Sequence, residues 1–140
     1  MVKGKNLKVG EKNRGKNISA PIAPSEPDPQ NQTPVFCLHY LGGRYCLSRC
    51  NDEEKAALSD RMHRLCKMTW KEISVANRKG MGYEKIARNA LSVELPAHVT
   101  PDVNLLAFRF YGNAPMVGYR VKRVFHILFL DRDFTLYDHG

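Results

Sequence analysis

The chain is short of several things. It has no apolar run near the roughly 20 residues of a membrane span, so no membrane partner is expected. No apolar stretch follows the basic N-terminus, so that segment does not read as a secretory signal. A cytoplasmic location is the expectation, with the four cysteines reduced. There is no G-x-S-x-G, P-loop, G-x-G-x-x-G or H-E-x-x-H motif. Gly80-Met81-Gly82 lacks the strand and helix that flank a phosphate loop, and it reads as a helix stop. Cys37, Cys46, Cys50 and Cys66 lack the C-x2-C or C-x4-C pairing of structural zinc modules, so neither a metal nor another cofactor is expected.

Acidic residues are also scarce. Against 22 Lys and Arg stand 14 Asp and Glu, a formal charge of +8 over 140 residues. Such a balance attracts polyanions, with RNA, DNA and anionic membrane surfaces as candidates, or it serves solubility alone. Lys3, Lys5, Lys8, Lys12, Arg14 and Lys16 face only Glu11 in the first 20 residues, and five of the eight prolines follow by Pro34. This composition cannot offset the entropy of ordering, so residues 1–34 are expected to be a flexible basic tail and spacer. Residues 35–140 are expected to form one domain.

Val35 to Leu41 is strand-like, and Gly42-Gly43 predicts a hairpin returning through Arg44 to Ser48. Asn51 and Glu54 have the spacing of a capping box. Leu58, Met62, Leu65, Cys66, Thr69, Trp70 and Ile73 then recur at three- and four-residue steps. One long helix, about residues 52–76, is expected to bury that face. From Tyr83 to Leu91, the helical spacing of Tyr83, Ile86, Ala87 and Ala90 allows a short second helix.

The most organised stretch runs from Leu105 to Tyr137. Leu106, Phe108 and Phe110 alternate with Ala107, Arg109 and Tyr111, a period of two. A turn is expected at Asn113 to Pro115, a second strand at Met116 to Val121, a covered strand at Val124 to Leu130, and a last strand at Phe134 to Tyr137. The short connections call for an antiparallel β-meander. With the helices packed against it, the expected class is α+β.

The same stretch holds the candidate chemistry. Arg109 and Arg120 lie on neighbouring strands beside aromatics, Lys122 and Arg123 add charge, His126 interrupts an apolar strand, and Tyr137 and His139 close the chain. Arginines on a scissile phosphate, with a His and a Tyr to move protons, meet the needs of metal-free RNA cleavage. The plainer readings are a core histidine, an aromatic cap and snorkelling surface arginines.

Phe108-Arg109-Phe110, Gly118-Tyr119-Arg120-Val121, the apolar run Phe125 to Leu130, the turn Asp131-Arg132-Asp133 and Tyr137, in that order, resemble the C-terminal sheet of RelE-type and HigB-type toxins. Those are ribosome-associated endoribonucleases of bacteria. The resemblance implies a RelE-like fold, RNA and the ribosome as partners, and neutralisation by an antitoxin protein. It also implies phosphate contacts for Arg109 and Arg120, a basic turn residue in Arg132 and an active-site role for Tyr137. Asp131 departs from the pattern, since many such toxins have His there. Two functions follow as alternatives, a metal-independent endoribonuclease or a non-catalytic RNA- or ribosome-binding module on the same basic face. A third is an accessory protein of a phage or mobile element acting through protein contacts alone.

Overall fold

The computed structural model describes residues 26–138. The basic segment and His139 of the preceding section fall outside them, apart from residues 26–34. Five strands form one mixed sheet in the order β1-β5-β4-β3-β2. They are β1 (Val35–Cys37), β2 (Tyr83–Ile86), β3 (Leu105–Tyr111), β4 (Ala114–Val121) and β5 (Val124–Leu130). The expected meander is present as β3-β4-β5, antiparallel between sequence neighbours, but β1 joins β5 in parallel and β2 extends the other edge.

Helix α1 (Asp52–Leu65) begins at the expected capping box. Asn51 Oδ1 accepts from Glu54 N, and Glu54 Oε1 accepts from Asn51 N. The long helix expected over 52–76 is instead two helices. Thr69 opens α2 (Trp70–Val75) with a second capping box, to Glu72. The physical reason lies in Trp70. As the first residue of a new helix its N–H has no intrahelical partner, and it donates to Gln32 O at 3.0 Å. Inside one continuous helix that N–H would be spent on the preceding turn.

Four other expectations are corrected. Residues 43–45 and 47–49 are 3-10 turns, so no hairpin returns from Gly42-Gly43. The short helix expected over 83–91 is instead the strand Tyr83–Ile86 and a 3-10 turn at Arg88–Ala90: pairing with β3 overrides the helical spacing and sends Tyr83 and Ile86 to opposite sheet faces. The β3–β4 turn is Gly112-Asn113, with Gly112 at φ 56°, while Ala114 and Pro115 belong to β4. Pro115 has no N–H to give, and it sits opposite a bulge at Arg109/Tyr111, where the ladder is already broken. Residues 134–137 form a loop because the Asp131 carboxylate takes the N–H groups of Thr135 and Leu136, leaving them no strand to pair with.

The sheet is covered on both faces. Leu106, Phe108, Phe110, Met116, Phe125 and Ile127 meet Leu58, Leu65, Trp70 and Ile73 from the helices. On the other face Leu105, Ala107, Val117, Tyr119 and Leu128 meet Tyr45, Val99 and Leu136 from loops. The packed unit starts before Val35. Arg123 donates to Thr33 O and Oγ1, and Cys66 Sγ to Pro34 O, so residues 32–34 are bound to the sheet and helices. Among the described residues no helix is long and apolar enough to cross a membrane.

Gly118 marks the tightest approach in the sheet. A Cβ there would stand 2.0 Å from His126 O and 3.0 Å from a Phe125 ring carbon, at the β4–β5 irregularity. Gly118→Ala should therefore cost at least ~3 kcal/mol in urea denaturation, at the upper end for overpacking. Gly42→Ala, which meets nothing within 4 Å, should stay within about 0.5 kcal/mol.

Candidate functional site

Arg109 is the last residue before the β3 bulge. It follows the parity of Leu105 and Ala107, so its side chain leaves the sheet on the face away from the helices. Across the ladder its partner is Pro115. Two elements enclose it there. Strand β2 brings Glu84, opposite Ala107, and the loop after β5 brings Phe134, Tyr137 and Asp138. With Arg78 and Asn113 these residues line a polar cleft of about 260 Å³. Arg109 makes no ion pair or side-chain hydrogen bond among the described residues, whereas Arg78 Nη1 lies 3.4 Å from Glu84 Oε2.

Tyr137 is half-buried in this cleft. Burial pushes its pKa up to about 12, the charges of Glu84 and Asp131 push in the same direction, and Arg109 opposes them. At neutral pH the phenol is therefore protonated, a hydrogen-bond donor or proton donor rather than a base.

Arg120 lies elsewhere. Pro115 shares a face with its ladder partner Arg109, and Arg120 is five residues further along β4, an odd step that turns it to the helix side. Its guanidinium carbon stands 4.3 Å from the centroid of the Trp70 ring, and its Nε donates to Lys122 O. Burial draws its pKa down, although it stays charged. It borders a second cleft of about 420 Å³, with Tyr83, Lys85, Asn104 and Leu106.

His126 shares the face of Arg109 but joins a different cluster. Its ring stacks on Tyr119 at 4.8 Å and 15°, with Tyr40 at 5.9 Å. Tyr119 Oη in turn bonds to His98 Nε2 at 2.8 Å. The Nδ1 of His126 is buried with no partner among the described residues. Burial, with the nearby His98, lowers its pKa, so it is neutral at pH 7. It does not line the Arg109 cleft.

The remaining basic candidates have structural partners. Arg123 holds Thr33. Lys122, at φ 54° in the β4–β5 turn, has its Nζ 2.9 Å from Glu26. Arg132 Nε donates to Glu54 Oε1 at 2.9 Å, joining the loop after β5 to the start of α1. Burial alone would raise the Glu54 pKa. Hydrogen bonds from Arg132 and the Asn51 N–H outweigh that and hold it below the usual carboxylate value.

The structure thus brings Arg109 and Tyr137 together and leaves Arg120 and His126 apart from them. Sequence reasoning missed Arg78, Glu84, Asn113 and Phe134. By sequence Asn113 is only a turn residue and Phe134 only the start of a strand, and Glu84 needs the β2–β3 register. The four cysteines are free thiols, and among the described residues no three His, Cys, Asp or Glu side chains gather as a metal site.

The Tyr137 environment has a measurable consequence. An unfolded tyrosine ionises near pH 10 and the folded Tyr137 only at about 12, so its contribution to stability is complete below ~pH 10 and is lost as the pH rises to about 12. Urea melts at about pH 9 and about pH 11.5 should show a smaller alkaline loss for Tyr137→Phe than for the wild type. Equal losses would place the phenol in open water. Compared with protein-family models, curated proteins and solved structures, the chain matches none.

Proposed function

We propose that this chain is a non-catalytic module that binds single-stranded RNA, with Arg109 as its principal RNA contact. The observation that carries this reading is the Arg109 guanidinium, without an ion pair among the described residues, in a polar cleft beside a protonated tyrosine. A planar fork of donors in such a cleft suits a phosphate or a base edge. Six of the 22 basic residues lie in the first 16 positions against a single acid, so much of the charge excess is carried by that segment and adds salt-dependent attraction. Binding needs only this one cleft. Cleavage through two arginines on one phosphate would need Arg109 and Arg120 on the same side of the sheet. The RelE-like reading of the fold is supported by the order strand, helices, three-stranded meander, with β2 as an added edge. On that reading the RNA is presented by the ribosome.

Endoribonuclease activity, restrained by an antitoxin, is a second reading with one observation behind it. What supports it is the neutral Tyr137 phenol in the same cleft as Arg109, a group able to give a proton to a leaving 5′-oxygen.

Fluorescence anisotropy of a labelled single-stranded RNA separates these readings. Arg109→Ala should weaken binding about tenfold, the loss of one charge-assisted contact. Arg120→Met, which keeps an apolar stem over Trp70, should stay within about twofold. Intact RNA after prolonged incubation is expected. Cleavage that Tyr137→Phe abolishes would favour the nuclease, and no RNA binding at low salt would end both readings.

A further inference from the structure

Phe134 is an unusual residue for its position. Its backbone is left-handed, at φ 59°, a region that favours glycine or asparagine over a bulky side chain. The residue is 46% exposed and belongs to neither apolar core, yet it lines the Arg109 cleft. The surrounding loop is pinned on every side. Asp131 Oδ1 and Oδ2 accept from Thr135 N and Leu136 N, Thr135 Oγ1 bonds to Asp133 and Tyr45, and Arg132 is held by Glu54. Such over-determination is what lets an unfavourable backbone persist, and it keeps an aromatic ring at the rim of a polar cleft.

The rest of the cleft lining is of mixed charge, with Arg78, Arg109, Glu84, Asn113 and Asp138. A site for phosphate alone would not place a carboxylate in its wall. A nucleobase with both donors and acceptors has use for both signs. Guanine carries adjacent N–H donors at N1 and N2, which match the two oxygens of one carboxylate, and acceptors at O6 and N7, which match an arginine fork. Adenine and cytosine set an acceptor beside their amino group, and uracil flanks its single N–H with carbonyls, so each would place a lone pair against Glu84. A cleft of about 260 Å³ fits one splayed-out nucleoside, not a duplex.

We propose that this cleft is a pocket for a guanine base of single-stranded RNA, stacked on Phe134, read at its donor edge by Glu84 and at its acceptor edge by Arg109. The proposal rests on the RNA-binding reading above and adds base selection to it. Arg78 holds only Glu84 Oε2, through a long contact of 3.4 Å that an incoming base can share.

The test uses the full chain and four labelled RNAs about ten nucleotides long, within the usual span of such sites. They are oligouridines alike except for one central base, G, A, C or U. The G-containing strand should bind about tenfold more tightly than the others. Glu84→Gln should reduce that preference to below about twofold, since a neutral amide presents one acceptor instead of two. Phe134→Ala should weaken all four strands roughly tenfold, and Phe134→Trp should restore them. Equal affinity of the wild type for all four strands, or a guanine preference that survives Glu84→Gln, would overturn the guanine pocket and leave RNA binding standing. Failure to bind any strand would overturn both.

Discussion

Trp70 is the side chain on which the rest of the fold depends. It is fully buried, with its ring 6.2 Å from that of Phe108 and 6.3 Å from that of Phe125. Its backbone N–H reaches Gln32 O, its indole N–H reaches Arg123 O, and the Arg120 guanidinium lies over its face. One residue thus joins the segment before β1, the start of α2, two core strands and the β4–β5 turn. A buried indole is costly unless its N–H finds a partner, and Arg123 O meets that requirement. The helical segment breaks so that Trp70 can occupy a first-turn position, where both of its donors point outward from the helix.

A second joint positions the cleft. Glu54 closes the capping box of α1 and at the same time takes Arg132, so a buried carboxylate links the first turn of the helix to the loop after β5. Within that loop the buried Asp131 binds two backbone N–H groups and fixes the path of residues 131–136. Phe134 and Tyr137 owe their places in the cleft to these two acids. The cleft therefore stands on structural charges that are themselves nearly inaccessible to water.

Much of the architecture was legible in the residues. The capping box at Asn51, the buried face of Leu58, Leu65, Trp70 and Ile73, and the meander of β3 to β5 all follow from local signals, a hydrogen-bonding spacing or an apolar period. The misread elements share a cause. Tyr83, Ile86, Ala87 and Ala90 keep a helical spacing, but pairing with β3 sends Tyr83 and Ile86 to opposite sheet faces, and Gly42-Gly43 turns the chain without a partner strand to complete a hairpin. Thr69-x-x-Glu72 is a capping signature, but it sat inside a longer helical pattern that masked it. Asp131 read as a plain polar turn, because nothing in its neighbourhood shows that its oxygens take the amides of Thr135 and Leu136.

The candidate site was legible only in its ingredients. Arg109, Arg120, His126 and Tyr137 are residue types able to hold phosphate or move protons. Which of them meet depends on register. A one-residue change in the β3–β4 turn would exchange the faces of every side chain on β4 relative to β3. The sequence by itself determined the elements with strong local periods and the α+β class, since amphipathic spacing and capping act within a few residues of chain. Only the tertiary structure decided that Arg109 meets Tyr137, Glu84 and Phe134 while Arg120 lies against Trp70. Strand pairing and loop closure bring together residues distant in sequence, and no local pattern encodes which sheet face each will share.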